Sequence, residues 1–253
     1  MTAILNTLLN LRTVRRNNFS AKPISDQDIA EILQVSVKAA NASNRQGYSI
    51  IVVEDSIKQE LGWPGSRVLL YCVDYVRLKD SAAYLKKEFD CTHLQPLVTG
   101  IIDTALAAQT AVIAAKAKGI DSLITNDVYT NTKTLDKIKR LLELPEEYCF
   151  PLLLVCLGYP EKEPEHRKGR LTGHGVIHYG KYKRCSAEEI QEIVEAYNDT
   201  ETHLSIITNW GELGYAHYLD WFFDKWIIPL ENPRKSEELT AILERYRLLK
   251  GLS

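Results

Sequence analysis

The chain predicts an α+β fold, with helices wrapped around a small sheet, on three observations. Aliphatic and β-branched runs at 48–53, 67–74, 122–125 and 150–157 read as strands. They are few and are interrupted by helical patterns, often in pairs, which argues against a doubly wound parallel sheet. Between the second and third runs lies a long alanine-rich stretch, which reads as a central helix of the core.

The elements follow in order. Ser25 and Asp28 resemble a capping box whose acid is one methylene short, and the pattern after them predicts a helix to about residue 40. A strand over 48–53, a short helix near 56–61 and a strand over 67–74 come next. Residues 75–89 alternate apolar and charged positions at helical spacing and predict an amphipathic helix. The stretch from about 95 to 118 is small and apolar almost all round, so close packing on several sides is expected, with Gly119 as its stop. Beyond it come a strand at 122–125, a helix over 134–142, the most buried strand over 150–157, and a helix over 187–197 capped by Ser186. Two further helical stretches are predicted at 212–227 and 237–249.

With 253 residues, 45% of them hydrophobic, the chain can bury a substantial core. Its net charge of −2 gives no general field toward nucleic acid or anionic membrane. No signal-peptide pattern opens the chain, and the apolar stretch 100–115, broken by Asp103 and Gln109, reads as too short to span a bilayer. Five cysteines without paired spacing fit a reducing compartment, so a cytoplasmic location is expected.

Two basic clusters stand out, Arg12-Thr13-Val14-Arg15-Arg16 and Arg167-Lys168-Gly169-Arg170. Brought together they would clamp a phosphate, because guanidinium groups pair with phosphate oxygens and Thr13 adds a hydroxyl; left apart they are solvated basic turns. The polar connection 41–47 could hydrogen-bond a ligand's ring edge or be a plain loop. Residues 175–181 have P-loop spacing but continue with Tyr182 where Ser or Thr should hold magnesium. His174 and His178 lie among glycines with no nearby metal-ligand partner, so no metal site is assigned. No nucleophile elbow or dinucleotide fingerprint is present.

Taken in order, Arg12-Thr13-Val14-Arg15 with Phe19 and Lys22-Pro23-Ile24, the 43–48 loop before Ile51-Val52-Val53, the helix around Asp103 and Gln109, Leu157-Gly158-Tyr159-Pro160, and Lys168-Gly169-Arg170-Leu171 resemble the FMN-dependent nitroreductase family. The resemblance covers about residues 10–198. It implies a three-layer α/β/α nitroreductase-like domain over 1–198 and a helical extension over 199–253, packed on the core or on a partner subunit.

The resemblance also implies roles. Arg12, Thr13, Arg15, Lys168 and Arg170 would contact the FMN phosphate; Asn41, Ser43, Asn44 and Gln46 would line the flavin; Thr125 and Asn126 would lie near its reactive nitrogen. Asn41 stands where the family has Ser, Ala40 and Gly47 replace prolines, Asn17 and Asn18 are extra, and 126–127 lacks the usual glycine. The implied activity is that of an oxidoreductase in which NADH or NADPH reduces FMN, which then reduces a nitroaromatic, quinone or related small acceptor. FMN would sit at the interface of a homodimer, and no catalytic side chain is assigned. A specialised flavin-binding protein, for flavin breakdown, storage or sensing, and a binding module for another phosphorylated ligand are the alternatives.

Overall fold

The computed structural model describes residues 2–129, 131–164, 167–227 and 233–250. The chain divides into two compact units, Met1–Glu163 with Glu237–Ser253, and Pro164–Ser236.

The first unit is built on four antiparallel strands, β1 (Tyr48–Val52), β2 (Arg67–Asp74), β3 (Asp121–Thr125) and β4 (Cys149–Gly158), in the order β1-β2-β4-β3. Side chains alternate between the faces, as strand geometry requires. Leu69, Tyr71, Val155 and Leu157 face a cluster with Ile29 and Ile32 of α2 (Asp26–Ser36) and Ala107, Ala108 and Ala111 of α5 (Leu94–Ala117). Val68, Leu70, Cys72, Leu154 and Cys156 face a second cluster with Ile138 of α6 (Thr132–Leu141), and Ile57 of α3 (Asp55–Glu60) packs against it. Helices therefore cover both faces, in three layers. The β2–β4 register shifts between Tyr71 and Cys72, where Leu153 is followed by Pro151 as partner, so Leu152 is the extra residue of a bulge.

Local chemistry accounts for the helix ends. The Ser25 hydroxyl oxygen accepts from the Asp28 N–H at 3.0 Å, but the Asp28 carboxylate takes the serine hydroxyl at 2.7 Å, making only the forward half of a box. Ser186, with the longer Glu189, completes both halves at the start of α7 (Ala187–Asn198). Gly119 takes φ +75° after α5, a conformation that disfavours a residue with a Cβ.

Three expectations need correction. The helix expected over 75–89 stops as α4 (Val76–Tyr84), with Lys86 left-handed at φ 54°. The helix expected over about 95–118 is present as α5, but at 24 residues it is, by length and composition alone, long and apolar enough to cross a bilayer, where the 100–115 stretch alone reads as too short. It is also not enclosed: one side enters the core, whereas Leu94, Val98, Ile101, Ile102 and Leu106 are exposed. The expected helix over 212–227 begins only at α8 (Tyr218–Trp221), because Gly214 is left-handed and His217 caps the new helix; it continues as a π-turn over Phe222–Ile227.

In α1 (Ala3–Leu9), which packs on α5, Ile4, Leu5, Leu8 and Leu9 are also exposed. At the other end of the chain, the last helix, α9 (Pro233–Arg245), leads to a segment that docks on the first unit. There Ile242, Tyr246, Leu248 and Leu249 bury themselves against Leu135, Phe150 and Leu152, with the Phe150 and Tyr246 rings edge-on at 5.6 Å.

In the second unit α7 packs against α8. Tyr218 is buried among aromatic rings, stacked on Tyr197 at 5.7 Å and edge-on to Trp210. The aromatic residues between Trp210 and Phe222 thus largely cover one another, while Phe223 and Trp226 remain about half exposed.

Candidate functional site: a cationic sheet edge and a left-handed loop

Strand β3 is an edge strand, and the chain before α2 docks on it. Thr13 bridges Ser122 in parallel, with the Val14 N–H donating to the Ser122 carbonyl at 2.9 Å. Farther along, Phe19 bridges Pro160, the Ser20 N–H donates to the Tyr159 carbonyl, and the Lys22 ammonium lies 3.9 Å from the Tyr159 ring centre. Segments 12–22, 121–127 and 157–160 therefore meet.

Within this corner the cations differ. Arg12 gives Nη2 and Nε to the Asp121 carboxylate at 2.6 and 3.0 Å, and turns Nη1 and Nη2 to Glu163 at 2.5 and 3.1 Å. Lys116 closes on the other Asp121 oxygen at 2.6 Å. Burial alone would raise the Asp121 carboxyl, but the bonds from Arg12 and Lys116 outweigh it and hold it below the ordinary range. Glu163 first, and Asp121 second, raise the Arg12 guanidinium. Arg16 pins the turn after β3, donating to Asp127 at 3.1 Å and to the Gly62 carbonyl at 3.0 Å. Arg15 is exposed; its carbonyl accepts the Asn18 N–H at 2.9 Å, but its guanidinium makes no hydrogen bond or ion pair among the described residues.

Thr125 and Asn126 sit at the end of β3. The Thr125 hydroxyl oxygen accepts the Asp127 N–H at 3.3 Å, and the Asn126 amide donates to the Tyr129 hydroxyl at 3.2 Å. On the outer side of β3 the Ser122 carbonyl is taken by Val14, and beyond that bridge the edge has no strand partner among the described residues.

The loop 41–47 lies elsewhere. Ser43, Asn44 and Gln46 are left-handed at φ 53°, 51° and 51°. The Asn41 side-chain oxygen accepts the Gln46 N–H at 3.2 Å, and Arg77 donates to the Gln46 carbonyl at 2.7 Å. Buried Asp103 of α5 accepts the Ala42 N–H at 2.9 Å. Neither the left-handed residues nor this bond follow from residue type or spacing in the sequence.

The strand register sets the distance between these two regions. Tyr48, next to the loop, pairs with Val73, whereas Ser122, next to Thr13, pairs with Leu157 and through it with Arg67. They lie roughly 14 Å apart across three strand spacings and roughly 20 Å apart along the strands, at opposite corners of the sheet. Helix α5 gives the same answer, since Asp103 and Lys116 are separated by about 20 Å of helix.

The remaining candidates, Lys168 and Arg170, belong to the second unit. The Lys168 ammonium donates to the Ser205 carbonyl, and Arg170 donates to the Gly169 and Lys168 carbonyls at 2.7 and 3.2 Å. His174 pairs with Glu189, and among the described residues no group of three or more His, Cys, Asp or Glu could hold a metal.

An antiparallel three-layer core with a cationic sheet edge and a polar, backbone-strained loop defines a protein suited to a phosphorylated ring cofactor. The chain belongs to the nitroreductase family, whose pattern matches residues 9–159. It is 28% identical over 225 residues to an NADPH-flavin oxidoreductase of Vibrio harveyi, covering 84% of this chain and 89% of that one. A Cr(VI) reductase of Pseudomonas sp. (strain G-1) is 30% identical over 192 residues, 72% of this chain and 76% of that protein. The NfrA1 nitroreductase structure from B. subtilis superposes with a TM-score of 0.79 at 22% identity, over 96% and 98% of the chains, a likeness of fold.

Proposed function

We propose that FMN binds with its phosphate toward Arg12, Thr13 and Arg15 and its ring against the 41–46 loop of a second copy of the chain. The protein is an FMN-dependent NAD(P)H oxidoreductase. The residues fit the group: the Arg15 side chain has donors to spare, the outer side of β3 beyond Ser122 has no strand partner among the described residues, and the loop holds exposed amides in a constrained shape. When bound, FMN supplies hydride acceptance from the nicotinamide and onward reduction of an acceptor. The chain's task is to orient the ring, place donors at its polar edge and leave one face open.

The observation that carries the two-chain site is the corner-to-corner separation of its halves. One protomer cannot close both around one ring, whereas a two-fold partner brings its loop to the other chain's cationic edge. The apolar face of α1 and α5 supports this reading, since exposed aliphatic residues on two adjoining helices call for a cover. The small acceptor is a nitroaromatic, a quinone or a similar electron-poor compound, and the location is cytoplasmic, which suits five free cysteines.

The test is spectroscopic. The purified protein should carry flavin bands that bleach with NADPH or NADH under nitrogen and return on adding a nitroaromatic or a quinone. Protein that stays colourless after incubation with FMN overturns the proposal.

A further inference from the structure

We infer that Asp103 is a positioning residue for the flavin: by accepting the Ala42 N–H it fixes the 41–46 loop in the shape that lines the ring. This rests on the reading of that loop as the cofactor's wall.

Three residues with side chains, Ser43, Asn44 and Gln46, take left-handed backbone conformations within four positions. Such conformations are disfavoured by contact between Cβ and the backbone, and they persist only where the surroundings over-determine them. Within the loop, Asn41 accepts from Gln46 and the Arg45 N–H and Nε return to the Ala42 carbonyl; from outside, Arg77 holds its last carbonyls, the Asp74 N–H holds Gly47, and among the described residues Asp103 is the side chain that ties its start to the core. Ala42 opens the 3-10 turn Ala42–Asn44, so its N–H would otherwise point away from any backbone acceptor.

Asp103 is a costly choice for that place. It is 2% exposed, and no cation pairs with it among the described residues. An unpaired buried carboxylate loses its hydration without a compensating partner charge. An apolar side chain would fill the space more cheaply, so what the carboxylate adds is a directed acceptor. Its field reaches further: burial first, and the Asp103 charge second, push up the Tyr48 phenol, whose buried hydroxyl has no hydrogen-bond partner. Gly47 completes the clamp, because a Cβ there would lie 2.9 Å from the Tyr75 ring, leaving the loop packed flat against that side chain.

The test compares Asp103→Leu, Asp103→Asn and Ala42→Pro in the full-length protein stripped of FMN and titrated with it by fluorescence. Asp103→Leu should weaken FMN binding by about tenfold or more and shift the visible bands of the flavin at saturation. Asp103→Asn keeps the acceptor oxygen and should hold affinity within about threefold with a native spectrum. Ala42→Pro deletes the donor, spares the carboxylate, and should reproduce the leucine variant even where that variant folds poorly. Ile138→Ala, a core change on the opposite face of the sheet, should lower the melting temperature without altering FMN affinity or spectrum. Unchanged binding and spectrum in both Asp103→Leu and Ala42→Pro overturn the inference, as does an asparagine variant as defective as leucine. Normal binding by Asn44→Ala and Ser43→Ala would instead overturn the reading of the loop as a cofactor wall, and the role of Asp103 with it.

Discussion

Arg12 and Asp121, 109 residues apart in sequence, are joined by two hydrogen bonds to one carboxylate oxygen, while Lys116 holds the other. Glu163, 76% exposed, takes the Arg12 guanidinium from the opposite side in the two-pronged geometry a phosphate would use. A phosphate docking on Arg12 must therefore displace Glu163. Glu163→Gln should tighten FMN binding by about threefold to tenfold, measured by titration at low salt, with the gain shrinking as salt rises. Weaker binding in this variant would show that Glu163 supports the cofactor.

Asp121 also sets an acid limit. Its carboxyl is depressed in the folded state, so its contribution is present above the unfolded carboxyl pKa of roughly 3.9 and is lost as pH falls through the folded value. Asp121→Asn should destabilise the protein by about 3 kcal/mol at neutral pH, because it leaves Arg12 and Lys116 facing an uncharged amide. The gap in melting temperature from the parent chain should narrow below about pH 4.

The thiols make a simpler case. Cys72, Cys91, Cys149 and Cys156 are buried, and Cys185 is partly exposed. Burial pushes the Cys91 thiol up to about 11 and the Cys156 thiol up to about 12. In the native protein a thiol reagent should label Cys185 alone, and all five cysteines should react in denaturant. Rapid native labelling of Cys156 would mean that the second core cluster opens.

The α5 surface predicts an assembly defect. Ile102 is 52% exposed at the centre of the apolar face, so Ile102→Glu costs little within one chain and places a charge in the proposed contact between copies. Sedimentation should show a shift toward monomer, with the dimer dissociation constant raised by about 100-fold. FMN affinity should fall in parallel, because the two walls of the site would come from different chains.

Much of this architecture was legible from local pattern. The apolar runs at 67–74 and 150–157 became β2 and β4 almost residue for residue, since strands covered on both faces need no alternation to be recognised. The one-sided burial of α5 was not legible: a helix that is apolar all round reads the same whether its outer face meets its own chain or another. Nor was the false start at 212–217, where Gly214 overrides helical spacing through its backbone alone. At the site, residue types pointed to Arg12, Arg15 and the 41–46 loop, and the meeting of Thr13 with Ser122 joins the first of these to the β3 strand. The Glu163 contact with Arg12 and the Asp103 contact with Ala42 depend on folding across 151 and 61 residues, and no local signal announces them.

The docking of residues 242–249 on the first unit carries a consequence for integrity. Tyr246 and Leu248 fill a cluster whose other members, such as Leu135 and Phe150, are made roughly a hundred residues earlier. A proteolytic cut that released those later members would bare an apolar notch beside Phe150. Such a clipped protein should aggregate at concentrations the intact one tolerates, even though its sheet and helices are untouched.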